Sequence, residues 1–82
     1  MGKVRLTYHT TRDKIHPPAY VDLNTVGEAL AAAWDVHRMR PWALIEVRKD
    51  GTPIYENEAL RRAVERMPNR EAAARIAKED GY

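Results

Sequence analysis

The side chains equipped for chemistry are few. His9, Asp13 and His16 carry imidazole and carboxylate groups of the kind that hold Zn²⁺ or similar ions. Their spacing matches no metal motif, and a proline-containing loop is a poor scaffold for one. They are expected to be solvated groups, and no metal is expected. His37 falls within the apolar stripe of a helix, where a histidine is usually a core or interface residue with one hydrogen bond; a helix C-terminus favours its charged form. The chain has no Cys and no Ser, which removes disulfides, thiolate metal sites, Cys nucleophiles and every Ser-based triad. Thr and Tyr are the only alcohols, no Gly-rich phosphate loop occurs, and the carboxylates fall on solvent-facing stripes. Glu46 opposite Tyr55 is the one cross-strand acid–phenol pair, and packing accounts for it. Neither catalytic residues nor a cofactor are expected.

The elements that place these groups are organised around residues 40–55, which read as a β-hairpin. Asp50-Gly51 is the strongest short-range hairpin signal, because a type I′ turn needs φ > 0 at both central residues. A two-residue loop sets Lys49 opposite Thr52, Arg48 opposite Pro53, Val47 opposite Ile54 and Glu46 opposite Tyr55. Alternation then puts Ala43, Ile45, Val47 and Ile54 on a core face, with Trp42, Leu44, Glu46, Arg48, Pro53 and Tyr55 on the other. Pro53 has no N–H to offer a further neighbour, so its strand belongs at the sheet edge.

Residues 3–9 alternate, Val4, Leu6 and Tyr8 inward against Lys3, Arg5, Thr7 and His9 outward. A polar loop ending in Pro17-Pro18 leads to a short strand at 19–23, expected to pair antiparallel with the first; its Ala19, Val21 and Leu23 face the core and its Tyr20 and Asp22 face out. Thr25 and Glu28 have capping-box spacing, and the helix they open should end at Arg38 or Met39 because Pro41 disfavours helical geometry at Arg40. Its stripe is Val26, Ala29, Leu30, Ala33, Val36 and His37, with Trp34 at the border. Asn57 is placed to cap a second helix over 58–67, with Glu58 and Arg62 spaced to pair. Pro68-Asn69 breaks it. Residues 70–79 are helix-prone, with Glu71 and Arg75 spaced to pair, but Ile76 is their only large apolar residue. The segment 69–82 is therefore expected either to dock loosely or to serve a partner.

The architecture expected is α+β: a small, mostly antiparallel sheet with helices packed on one face, in the order ββαββα(α), as a single domain over residues 1–82. At 82 residues one core is only marginally sufficient, so self-association, most simply a homodimer, is a natural remedy. No apolar run reaches the length of a membrane span or a signal-peptide core, and the expectation is a cytoplasmic protein with no membrane partner. The formal charge of +2 is too small to argue for nucleic acid by itself. Basic residues are nonetheless uneven, with Lys3, Arg5, Arg12 and Lys14 opposed locally by Asp13 alone.

On this register the sheet face away from the helices carries Trp42, Leu44, Tyr55 and Tyr20 as apolar anchors and Arg5 and Arg48 as a charged rim. Trp, Tyr and Arg are the types over-represented at the energetic centres of interfaces. The expected function is thus a small non-enzymatic protein-binding module. The alternative is a nucleic-acid-binding module using the same face, with bases stacked on the aromatics and phosphates on Lys3, Arg5 and Arg48. A helix-turn-helix over 58–79 is weaker, because Ala72, Ala73 and Ala77 scarcely anchor a recognition helix.

The run Thr25-Val26-Gly27-Glu28-Ala29-Leu30-Ala31-Ala32-Ala33, followed by Trp42-Ala43-Leu44-Ile45-Glu46-Val47 and the Asp50-Gly51 hairpin, resembles in layout small phage- or prophage-borne accessory proteins, some anti-CRISPR proteins among them. The resemblance lies in architecture, without a signature motif, and it carries over no site residue. It implies a stoichiometric, non-enzymatic inhibitor or regulator of a host protein.

Overall fold

The computed structural model describes residues 3–82; the first two residues of the expected domain lie outside it. Four strands, β1 (Val4–Tyr8), β2 (Ala19–Leu23), β3 (Leu44–Lys49) and β4 (Thr52–Glu56), form one antiparallel sheet in the order β2-β1-β3-β4. Three helices, α1 (Val26–Met39), α2 (Glu58–Glu65) and α3 (Ala73–Glu79), complete the expected ββαββα(α) order, with a 3₁₀ turn at Arg70–Ala72 before α3.

Local chemistry accounts for most of these boundaries. The Thr25 hydroxyl accepts from the Glu28 N–H at 3.0 Å, and the Glu28 carboxylate accepts from the N–H groups of Thr25 and Asn24. That reciprocal cap satisfies orphan donors at the start of α1 and is worth about 1 kcal/mol. Asp50 and Gly51 both have positive φ, as the tight turn requires. The core joins Val4, Leu6 and Val47 of the sheet to Val26, Ala29, Leu30 and Ala33 of α1 and Leu60, Ala63 and Val64 of α2.

Asn57 and the last two helices depart from their sequence patterns. Asn57 adopts a positive φ and makes no side-chain cap; its N–H donates to the Ile45 carbonyl and ties the start of α2 to the sheet. Arg61 rather than Arg62 pairs with Glu58, and Arg75 pairs with Glu79. α2 ends at Glu65, short of the expected 67, although Met67 is still buried. The final helix buries Ala73, Ile76 and Ala77. Small residues make this possible: a Cβ at Gly27 would stand 3.1 Å from the Ala74 Cα, so α3 crosses α1 at a point where even a methyl group is crowded and larger side chains would clash.

The C-terminus is fixed by a polar cluster as well. The Tyr55 hydroxyl donates to the Asp80 carboxylate at 2.5 Å, and Arg66 donates to both oxygens of Asp80, at 2.9 and 3.2 Å. The Tyr82 ring sits 5.7 Å from that of Tyr55, centroid to centroid. Arg66, then Tyr55, hold the Asp80 carboxyl below its ordinary value. A carboxyl depressed in the folded state adds stability that is present above its unfolded value of about 4 and is lost as pH falls below it. Thermal unfolding between pH 7 and pH 2.5 should therefore show an acid decline that Asp80→Asn makes shallower. A residual slope is expected from Asp13 and Asp22, which are depressed in the same direction. Identical acid slopes in the two proteins would show that Asp80 does not couple to folding.

Candidate functional site

Two bulges alter the parity on which the exposed aromatic face depended. Between β3 and β4, Arg48 pairs with Pro53 as expected, but Val47 pairs with Tyr55 and Glu46 with Glu56, leaving Ile54 as the extra residue. Tyr55 is therefore carried to the helix side, where it is only 6% exposed, and Ile54 also packs on the core. The expectation that Tyr55 is an exposed anchor is corrected. The balance of energies favours this outcome. A bulge forfeits about one ladder hydrogen bond, a net ~0.5–1.5 kcal/mol, whereas burying a Phe-sized side chain gains about 1.5–3 kcal/mol. The Asp80 carboxylate then satisfies the phenol.

A second bulge sets Tyr8 opposite Leu44 and leaves Ile45 unpaired with β1. Both Leu44 and Ile45 are half-buried, and it is Leu44, expected on the open face, that packs against the core. Of the four expected anchors, Tyr20 alone stays on the open face of the sheet, 58% exposed at its β2 edge.

That open face is polar and internally paired. Arg5 donates through Nε and Nη2 to Asp22 at 2.8 and 3.2 Å, and its guanidinium lies 3.9 Å from the centre of the Tyr20 ring. Arg48 pairs with Glu46 and donates to the Gly51 carbonyl at 3.2 Å. Lys3 lies 3.7 Å from Asp22. Both guanidiniums expected to meet a partner at the rim are thus held by the protein's own carboxylates, and Asp22 is kept below its ordinary value by Arg5 first. A phosphate ligand would have to displace these pairs.

Trp42 lies elsewhere. It precedes β3 at the end of the sheet, half-buried, and lines an open groove of about 290 Å³ with Pro41, Leu44, Lys14, Asn57 and Arg61. Glu58 is also on its wall. Three segments meet there: the α1–β3 junction, the start of α2 and the loop joining β1 to β2. The loop has its own local structure. The Asp13 carboxylate accepts from the Thr11 hydroxyl at 2.6 Å and the Ile15 N–H at 3.1 Å, which lowers the Asp13 pKa. Lys14 takes a positive φ within that turn and donates its N–H to the Thr11 carbonyl. Lys14, Arg12 and Arg40 form no ion pair among the described residues, while Arg61 pairs with Glu58. Alternation within strands could not reveal this groove, since Lys14 and Asn57 reach it from loops with left-handed backbone.

His16 Nδ1 lies 3.8 Å from Asp13, and no three potential metal ligands converge among the described residues. His9 and His37 each enclose an Nδ1 that has no hydrogen-bond partner. No helix among the described residues is long and apolar enough to cross a membrane. Comparison with protein-family models, with curated proteins and with solved structures gives no match, so the groove and the sheet edges are read on their own geometry.

Proposed function

We propose that this protein is a small non-enzymatic binding module that acts by stoichiometric contact with a protein partner, using the Trp42 groove. The observation that carries the reading is the placement of Trp42, half-buried and lining one groove with the apolar Pro41 and Leu44 and the charged Lys14, Arg61 and Glu58. A partly buried indole beside apolar walls with a charged rim has the anatomy of an interface centre. The unpaired Lys14 favours an extended partner segment that inserts an apolar side chain and places a carboxylate nearby. Inhibition or regulation of a host protein, the role implied by the layout shared with phage accessory proteins, is one form such contact takes.

Affinity capture from the native host, followed by titration with the captured protein, tests this reading. Trp42→Ala should weaken binding about 30-fold, the equivalent of roughly 2 kcal/mol. Binding unaffected by Trp42→Ala overturns it.

A second reading is favoured by one specific observation: Lys14 lines the groove, Arg12 and Arg40 lie nearby along the same segments of chain, and none of the three forms an ion pair among the described residues. A single-stranded nucleic acid could stack a base on the indole with phosphates on these cations. Salt separates the two, because nucleic-acid affinity falls steeply with ionic strength and an aromatic-centred protein contact responds weakly.

A further inference from the structure

The two edges of the sheet are unlike. β4 is guarded by Pro53 and by a bulge, both devices that block further strand pairing. β2 has neither. Its sequence, Ala19-Tyr20-Val21-Asp22-Leu23, contains no Pro, Gly or Lys, and it pairs with β1 in unbroken register over its whole length. The middle of this strand is uncovered, since Tyr20, Val21 and Asp22 are all exposed.

The backbone phase of this edge follows from one hydrogen bond. The Asp50 N–H donates to the Lys3 carbonyl at 2.9 Å, so Lys3, and by alternation Arg5 and Thr7, turn their main-chain groups toward β3. Val4, Leu6 and Tyr8 turn theirs toward β2, where they face Leu23, Val21 and Ala19. The N–H and C=O groups of Tyr20 and Asp22 therefore point outward, with no strand among the described residues to receive them.

We propose that β2 pairs antiparallel with β2 of a second copy of this chain, about a two-fold axis at Val21, to make a continuous eight-stranded sheet. In that register Tyr20 and Asp22 of one protomer exchange hydrogen bonds with Asp22 and Tyr20 of its partner, four bonds in all. Val21 meets its own symmetry mate in a non-hydrogen-bonded pair, the arrangement that brings side chains closest. Val21, 38% exposed, and Tyr20, 58% exposed, are both covered.

Neighbouring registers are worse. A two-fold axis at Asp22 sets like charges directly opposite and calls on the Asn24 N–H, which already donates to Glu28 at 2.9 Å. An axis at Tyr20 sets Asp22 opposite Pro18, which has no N–H to give. In the Val21 register each Asp22 faces a tyrosine and is already neutralised by Arg5 and Lys3. The pairing is independent of the Trp42 groove, which lies at β3 and α2 rather than at the β2 edge.

Sedimentation equilibrium and cross-linking test the proposal. The wild-type mass should rise toward twice the monomer value between tens and hundreds of micromolar protein. Tyr20→Pro removes an outward N–H and the exposed ring over Arg5 but no hydrogen bond of the β1–β2 ladder, so it should leave the fold, checked by circular dichroism, and abolish the mass increase. Because the chain has no cysteine, Val21→Cys supplies a single thiol at the two-fold axis. It should form an intermolecular disulfide at least tenfold faster than Ala59→Cys, an exposed control on α2. A wild-type protein that stays monomeric at hundreds of micromolar overturns the proposal. So does a folded Tyr20→Pro variant that still dimerises, or a Val21→Cys variant that cross-links no faster than the control.

Discussion

Tyr55→Ala should cost about 3–5 kcal/mol of stability, the range for deleting a large aromatic side chain from a core. For a small domain with a total stability near the low end of about 5–15 kcal/mol, that is most of what holds it folded. The ring is 6% exposed, packs with Ile54 against the common core and touches the C-terminal Tyr82, so its removal leaves a cavity beside the C-terminal segment. Tyr55→Phe isolates the hydroxyl. It should cost about 1.5 kcal/mol, the lower end for a hydrogen bond to a charged group, because Arg66 still pairs with Asp80 in the variant.

The same residue sets an alkaline limit. Burial, then the adjacent Asp80 carboxylate, push the Tyr55 phenol well above its ordinary range. A group whose pKa is raised on folding contributes stability that is complete below its unfolded value, about 10 for tyrosine, and is lost as pH rises beyond it. Urea unfolding at pH 7, 9, 10.5 and 11 should show wild-type stability falling above pH 10, with a shallower fall in Tyr55→Phe. Parallel curves would mean that the phenol is not sealed in solution.

Gly27→Leu is the second large effect. A Cβ at this position already approaches the Ala74 backbone to 3.1 Å, and a leucine adds three further carbons directed at the α1–α3 crossing. Overpacking of this kind costs about 1–3 kcal/mol, only partly offset by the gain of up to ~1 kcal/mol from replacing glycine within a helix. Gly27→Ala should come out near neutral, with propensity and crowding opposed. The loss in Gly27→Leu should be regional first: amide exchange in α3 rises before exchange in β1 or β3, because α3 can lift while the sheet and α1 persist. If Gly27→Leu is as stable as wild type and α3 keeps its protection, the close crossing does not exist in solution.

These residues also mark how far the chain could be read without coordinates. The Asp50-Gly51 turn, the Thr25–Glu28 cap, the Pro41 stop and the alternation of Val4, Leu6 and Tyr8 are signals carried by neighbours in sequence. Short-range sterics and hydrogen bonds decide them, and the four strands and first helix followed in their observed order. The close packing of α3 was hidden because it depends on small residues far apart in the chain, Gly27 against Ala74, where the absence of side-chain volume is what matters.

What lies on each face of the hairpin was a tertiary decision. One extra residue in a strand reverses every later side chain, and nothing within residues 44–56 distinguishes a regular ladder from a bulged one. The choice was made by partners outside the hairpin: Asp80, which accepts from the Tyr55 hydroxyl and is itself held by Arg66, and the helix layer, which takes up Leu44. Sequence by itself determined the elements, their order and the edge position of the Pro53 strand. Only the folded chain, by weighing the burial of one phenol against one ladder hydrogen bond, placed Tyr55 inside and left Trp42 in a groove at the sheet's end.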